Sequence, residues 1–235
     1  QTSADEAAGL PSVKKLSTII TDNLAGQIQN GILKPGERLV QEDLAKKFSV
    51  SRVAVRDALM ELRRRGLSVT IPRKGDIVRP VSCRTVRDLF EIRRINESHA
   101  VRTACGRIDP PGLARLRRIV GEQEDCILAE DVAAFIAKDW EFHKTIFAYC
   151  GNEPLRELLD GLWARTRQAR SVARNDLSWG KNWGRASIRR HKDLLAALEK
   201  GDAEEAAAIT GRIIDEAAEE LAGELGAVGW DAGCP

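Results

Sequence analysis

The chain has 235 residues, 43% of them hydrophobic, with 37 Lys and Arg against 35 Asp and Glu. That length suits two domains, and that apolar share is enough to build real cores, which argues against a disordered polymer. The apolar runs fall far short of the ~20 residues a membrane span needs, so no membrane partner is expected.

No secretory pattern opens QTSADEAAGLPSV, and Gln1 in place of Met points to a trimmed or partial chain. The five cysteines, Cys83, Cys105, Cys126, Cys150 and Cys234, show no CxxC spacing, and reduced thiols in a cytoplasm are expected. Charge is unevenly spread. Between Ser12 and Pro80 fourteen Lys and Arg face seven Asp and Glu, whereas from Val81 onward acids exceed bases by three. A basic first third ahead of a mildly acidic remainder fits a nucleic-acid module joined to something else, although solvated basic faces are common.

In chain order, residues 1–11 read as a polar, disordered tail. Val13 to Asn30 then carries Val13, Leu16, Ile20, Leu24 and Ile28 on one side of a helix, ended by Gly31 and the KPGERL turn. Gln41 to Phe48 is a short second helix. Ser49-Val50-Ser51 is a tight connection in which Ser51 suits the N-cap of the next helix. That third helix, Arg52 to Arg65, turns Val55, Ala58, Leu59 and Leu62 inward, and Gly66 stops it. Leu67–Ile71, the turn Pro72-Arg73-Lys74-Gly75 and Asp76–Arg79 form a hairpin.

This order over residues 12–80 describes a winged helix-turn-helix whose third helix enters the major groove of double-stranded DNA. Arg52 and Arg56, four apart, project away from the core face, where guanidinium groups fork onto guanine edges or clamp phosphates. Ser51 at the helix start, Arg38 in the preceding turn, and Lys74 and Gly75 at the hairpin tip complete the expected DNA contacts.

GERLVQEDLAKKFSVSRVAVRDALMELRRRGL followed by PRKGDIV resembles the DNA-binding domain of the GntR family of bacterial regulators. The match covers nearly every fixed position over some thirty residues and departs at Ala54, where the family usually has Pro. By this resemblance Arg52 and Arg56 are recognition-helix contacts and Gly75 marks the wing. Relatives with a further DNA-contacting arginine on the second helix have no counterpart here, because Asp43 occupies that place.

Beyond Ser82 the pattern becomes helical throughout, over roughly 84–105, 110–129, 131–150, 153–174, 183–199 and 202–224, with breaks at Asp109–Gly112, Gly151-Asn152 and Gly201. Short connections imply an antiparallel all-α bundle over 84–226, followed by a tail at 227–235. Arg174 to Gly184 is the least regular stretch, with Trp179 and Trp183 as anchors of a loop.

Several polar groups share faces with core residues: Asp139 and His143 with Ile136 and Ile146, His191 with Ile188 and Leu195, and Arg93 and Asn96 with Leu89 and Ala100. Burying them is costly unless they are paired, metal-bound or facing a wet cavity, so a polar pocket at the bundle centre is expected. Taken singly, such residues are more often local hydrogen-bonding pairs, satisfied core histidines or snorkelling arginines. His99 lies off the Arg93 stripe and reads as an ordinary surface residue.

FEIRRINESHA, DWEFHKTIF, GNEPLRELL and RHKDLLAALEKGDAEEAAAI resemble the FCD subgroup of the GntR family, across essentially 85–220. The resemblance implies a divalent metal on Asp139, His143 and His191, with Arg93 holding a small organic acid; Asn96, on the Arg93 stripe, is expected to join it in binding the effector. The subgroup's final histidine falls on Ile213, which offers no donor atom. Two readings stay open. Three ligands with open positions hold Zn, Ni or Mn, or the metal is lost and the anion binds His143, His191 and Arg93 directly.

The function expected is that of a homodimeric regulator, a repressor of a pseudo-palindromic operator, and not an enzyme. The competing classes are a DNA-binding regulator with a vestigial, ligand-free bundle, and a non-haem metalloenzyme built on the two-His, one-carboxylate set.

Overall fold

The computed structural model describes residues 16–173 and 177–227, without the side chains of 173, 177–182 and 227. It is mainly helical, with one antiparallel hairpin. Helix α1 spans Leu16–Gln29, α2 Gln41–Phe48 and α3 Arg52–Arg64, and the strands are β1 Ser68–Ile71 and β2 Gly75–Val78. Then follow α4 Cys83–Ala104, α5 Pro110–Leu128, α6 Val132–Phe147, α7 Glu153–Ala173, α8 Leu177–Lys200 and α9 Ala203–Ala227. The first residues expected in α1, Val13 to Lys15, lie outside the described residues, as do both terminal tails.

Most helix starts are set by a short polar side chain that accepts a first-turn amide otherwise left without a partner. Ser51 takes Ala54 N, and Asp109 takes Gly112 N ahead of two prolines. Asp131 takes Ala134 N, Asn152 Leu155 N and Asp202 Glu205 N. Ser82 and Thr85 cap each other reciprocally. Among helix ends, Gly66 has φ +72°, a left-handed conformation, and a side chain there would crowd Arg165 of α7.

One core gathers α1, α2, α3 and the hairpin around Leu24, Ile28, Val55, Leu59 and Leu62. The four residues expected to face inward from α3 are fully buried. A larger core fills the bundle, where α4 lies along α9, α5 on α6 and α8, and α8 on α9. Helix α7 belongs to both. Trp163 and Ala169 pack in the bundle, while Ala164 packs in the first core and Gln168 Nε2 donates to Arg79 O at 2.7 Å.

One expectation is corrected. The stretch read as a loop is helical from Leu177, so α8 starts six residues before the expected boundary at 183. Two glycines weaken that segment locally, but tertiary packing overrides propensity. Trp183 sits edge-on to Phe135 at 5.0 Å, with the Arg170 guanidinium 4.5 Å from its ring. Gly184 lies hard against Ile127, whose side chain would have to move to admit a Cβ. The side chain of Trp179 lies outside the described residues.

Candidate functional site

The first candidate surface is the outer face of α3. Arg52 and Arg56 are exposed, as expected from their offset against Val55 and Leu59. Arg52 has no ion pair or hydrogen bond among the described residues, and Arg56 reaches Asp57 at only 3.8 Å. Ser51 is exposed and its Oγ caps the helix from 3.3 Å, so amide-rich backbone and two cations share this end of α3.

Lys74 and Gly75 are exposed at the hairpin tip, beside Arg73 in a left-handed conformation (φ 65°). Arg38, also exposed, bridges Ile77 and lies along the hairpin edge. The composition gave no sign of what orients the wing. Asp76 Oδ1 accepts both Arg63 Nη1 at 2.7 Å and Thr70 Oγ1 at 2.6 Å, which ties β2 to the end of α3.

The second candidate lies inside the bundle, where five helices bring polar side chains together. Asp139, His143 and His191 are each at most 3% exposed. Their ligand-type atoms lie within 4.8 Å of one another. His191 Nε2 is 3.2 Å from His143 Nε2 and 3.4 Å from Asp139 Oδ1. Arg170 Nη1 donates to Asp139 Oδ2 at 2.9 Å, and Ser187 Oγ to Asp139 Oδ1 at 3.3 Å. Phe142 stacks on His191 with centroids 4.3 Å apart, and Trp163 lies 5.0 Å from His143.

Burial lowers the pKa of His191 to about 4 against the opposing pull of Asp139, with Arg170 adding to the drop. Burial, then the neighbouring His191, holds His143 well below its ordinary value. Both imidazoles are therefore neutral, the form that binds metals. Burial works to raise Asp139, but the charge and hydrogen bond of Arg170 lead the opposing pull, and the carboxyl sits below its usual range.

These three residues fit a divalent ion. Gln123 Oε1 lies 2.9 Å from His191 Nδ1, and an amide oxygen accepts, so Nδ1 carries the proton and Nε2 turns its lone pair inward. Two donors bound tetrahedrally at 2.0–2.2 Å sit about 3.3 Å apart, which the two separations from His191, 3.2 and 3.4 Å, match, while all three donors lie within 4.8 Å. Such an ion would supply a Lewis-acidic anchor for an oxygen ligand. The position expected for a further histidine, Ile213, is buried in the apolar core of the bundle.

Arg93 is buried too, but it is already committed to partners on α4 and α7. Its Nε donates to Glu97 Oε1 at 2.6 Å and its Nη1 to Thr166 Oγ1 at 3.3 Å. Its guanidinium lies 4.2 Å from the Trp163 ring and 4.7 Å from Phe90. Burial raises the pKa of Glu97, and Arg93 opposes it. Asn96 is not brought into this group. It is half-buried and its amide donates to Ile92 O, because a 100° step per residue carries it off the face that Arg93 and Glu97 share. His99 is exposed, as expected.

Sequence reasoning missed Glu97, Gln123, Thr166, Arg170 and Ser187. Glu97 was legible as the i+4 partner of Arg93. The other four come from helices whose packing the periodicity did not define.

Residues 88–216 match the FCD domain, and residues 16–78 match the bacterial regulatory proteins of the gntR family. The chain belongs to the GntR family. Among its relatives, the Nta operon transcriptional regulator of Aminobacter aminovorans is 33% identical over 141 residues, 59% of this chain and 66% of that regulator. The HTH-type transcriptional repressor RspR of Escherichia coli K12 is 25% identical over 179 residues, 76% and 77% of the two chains.

The matches to the Aminobacter regulator and to the YdhC regulator of Bacillus subtilis strain 168 (31% identical) cover 66% and 62% of those relatives, each under two thirds of their length. Escherichia coli McbR/YncC shares the GntR-type fold, with a TM-score of 0.76 at 24% identity over 88% of this chain and 97% of the other. No helix among the described residues is long and apolar enough to cross a membrane.

Proposed function

We propose that this GntR-family chain is a cytoplasmic, DNA-binding transcription regulator whose operator affinity is set by a small organic acid and a divalent metal at the bundle centre. Two chains pair and present their α3 helices to the half-sites of a pseudo-palindromic operator, roughly one helical turn apart. Exposed Ile92 and Ile95 on α4 support such pairing, being large apolar side chains left facing water. Arg52 and Arg56 read base edges or phosphates, with Ser51, Arg38, Lys74 and Gly75 around them.

The observation that carries this reading is the convergence of His143 Nε2, His191 Nε2 and Asp139 Oδ1 within a buried centre whose wall is α7, the helix that also holds the winged module. Acid bound against a metal there, with Arg93 nearby, shifts the balance between arrangements of the two α3 helices. A tenfold to hundredfold change in operator affinity requires only ~1.4–2.8 kcal/mol of coupling. Repression is the expected direction.

One observation favours a second reading, a regulator whose bundle takes no effector. Arg93 is already neutralised by Glu97, and Asp139 by Arg170. Thermal shift of the full chain against a panel of organic acids, with and without Zn, Ni and Mn, decides between them. Stabilisation by an acid that needs the metal, and that His191→Gln removes, supports the first reading. Silence across the panel supports the second.

A further inference from the structure

We infer that the cleft between the winged module and the bundle is a second ligand site, which takes a small organic anion carrying a flat apolar group. The cleft has a volume of about 380 Å³, at the small end of the range of pockets that hold small molecules. One wall comes from α1 and α3, the other from α6 and α7.

The charges on the two walls are in different states. On the α3 wall Glu61 accepts from Arg64 at 2.7 and 2.8 Å and from Arg65 at 3.0 Å, and Arg65 also holds Asp22. That wall is a closed network. On the opposite wall Lys144 and Arg167 have no hydrogen bond or ion pair among the described residues, yet they lie 5.7 and 5.8 Å from the same Trp140 ring. Arg167 is half-buried, and its Nε is buried without an acceptor.

Both cations border the Trp140 ring inside the cleft, and an anion there satisfies the Arg167 fork, whose Nε is buried without an acceptor. Glu157 and Asp160 line the cleft as exposed carboxylates, and Asp160 acts on Arg167, so the anion competes with Asp160 for that guanidinium and seats against the Trp140 ring. The Trp140 ring, with Gly161 and Ala164 too short to fill the space, gives an apolar wall suited to a flat group.

This cleft is separate from the metal-type centre but adjoins it through one aromatic pair. Trp140 lies 4.9 Å from Trp163, which in turn lies 5.0 Å from His143. A ligand touching both walls ties the recognition helix to α7. The consequence for DNA affinity rests on the proposed function, whereas the site itself does not.

Isothermal titration of the full chain with benzoate tests it, with inorganic phosphate as the arm that lacks a flat group. Benzoate is expected to saturate the wild-type chain more tightly than phosphate does. Arg167→Met and Lys144→Met should each weaken it by about tenfold or more, the size of a lost charge-assisted contact, and His191→Gln should leave it within about twofold. Absence of saturable benzoate binding, or phosphate binding as tightly, overturns the proposal. Loss of benzoate in His191→Gln with retention in Lys144→Met would also overturn it, placing the anion at the buried centre and leaving the regulator reading intact.

Discussion

In the winged module Arg52, Arg56 and Lys74 stand in water, whereas in the bundle Arg93, Arg170, Asp139, His143 and His191 are each at most 5% exposed. The same residue types therefore do different work. Exposed cations on α3 are held by little besides their own helix, so they meet a phosphate or a base edge without breaking anything. The buried groups hold one another, each desolvated charge facing an opposite one at 2.6 to 2.9 Å. Substitution in the first region should alter binding and spare the fold. Substitution in the second should alter the fold first.

The largest effect expected is from Arg93→Leu, which strands Glu97 in a buried site. The loss should be about 3–5 kcal/mol, read from urea denaturation. A Glu97→Gln change should partly rescue it by removing the stranded charge. If Arg93→Leu is neutral, the two regions do not differ as described.

Acid comes next. His191 is held at about 4 when folded against 6.5 when free, so between those values the unfolded chain binds the extra proton. Stability contributed by neutral His191 is complete above pH ~6.5 and declines as pH falls towards 4, by about 3 kcal/mol in all. Denaturation midpoints in chelator should follow that window, and should flatten in His191→Gln.

Smaller in free energy, Arg52→Ala and Arg56→Ala should each weaken operator binding by about 1–3 kcal/mol. Their melting curves should stay within about 0.5 kcal/mol of wild type. Smallest of all is Arg64→Ala. It breaks the exposed Glu61 pair, whose 2.7 Å distance is nearly that of Arg93 to Glu97, and should cost under about 1 kcal/mol. Equal losses in Arg64→Ala and Arg93→Leu would show that burial does not separate the regions.

Much of this was legible in the residues. Ser51, Gly66 and the Val55/Leu59/Leu62 spacing defined α3, because a cap, a stop and a core stripe are local properties. Asp139, His143 and His191 were identifiable as inward-facing because they share a helical phase with isoleucines and leucines. What periodicity does not carry is the partner on another helix. Arg170 beside Asp139, and Gln123 behind His191, depend on how α5, α6, α7 and α8 cross.

Asn96 shows the same limit from the other side. It lies three residues from Arg93, close enough to be assigned to one stripe, yet Glu97 at i+4 takes the buried position. The helix over Leu177–Gly184 was obscured because its glycines and polar residues imitate a loop, while the contacts of Trp183 with Phe135 and Arg170 are long-range.

The most direct test of DNA reading by α3 is selection of binding sites from a random duplex pool, run in parallel on the wild-type chain and on the Arg52→Ala/Arg56→Ala variant. The wild type should enrich a two-part, pseudo-symmetric site with half-sites roughly one helical turn apart, and the variant should enrich nothing. Equal enrichment of the same site by both chains would contradict the role given to α3.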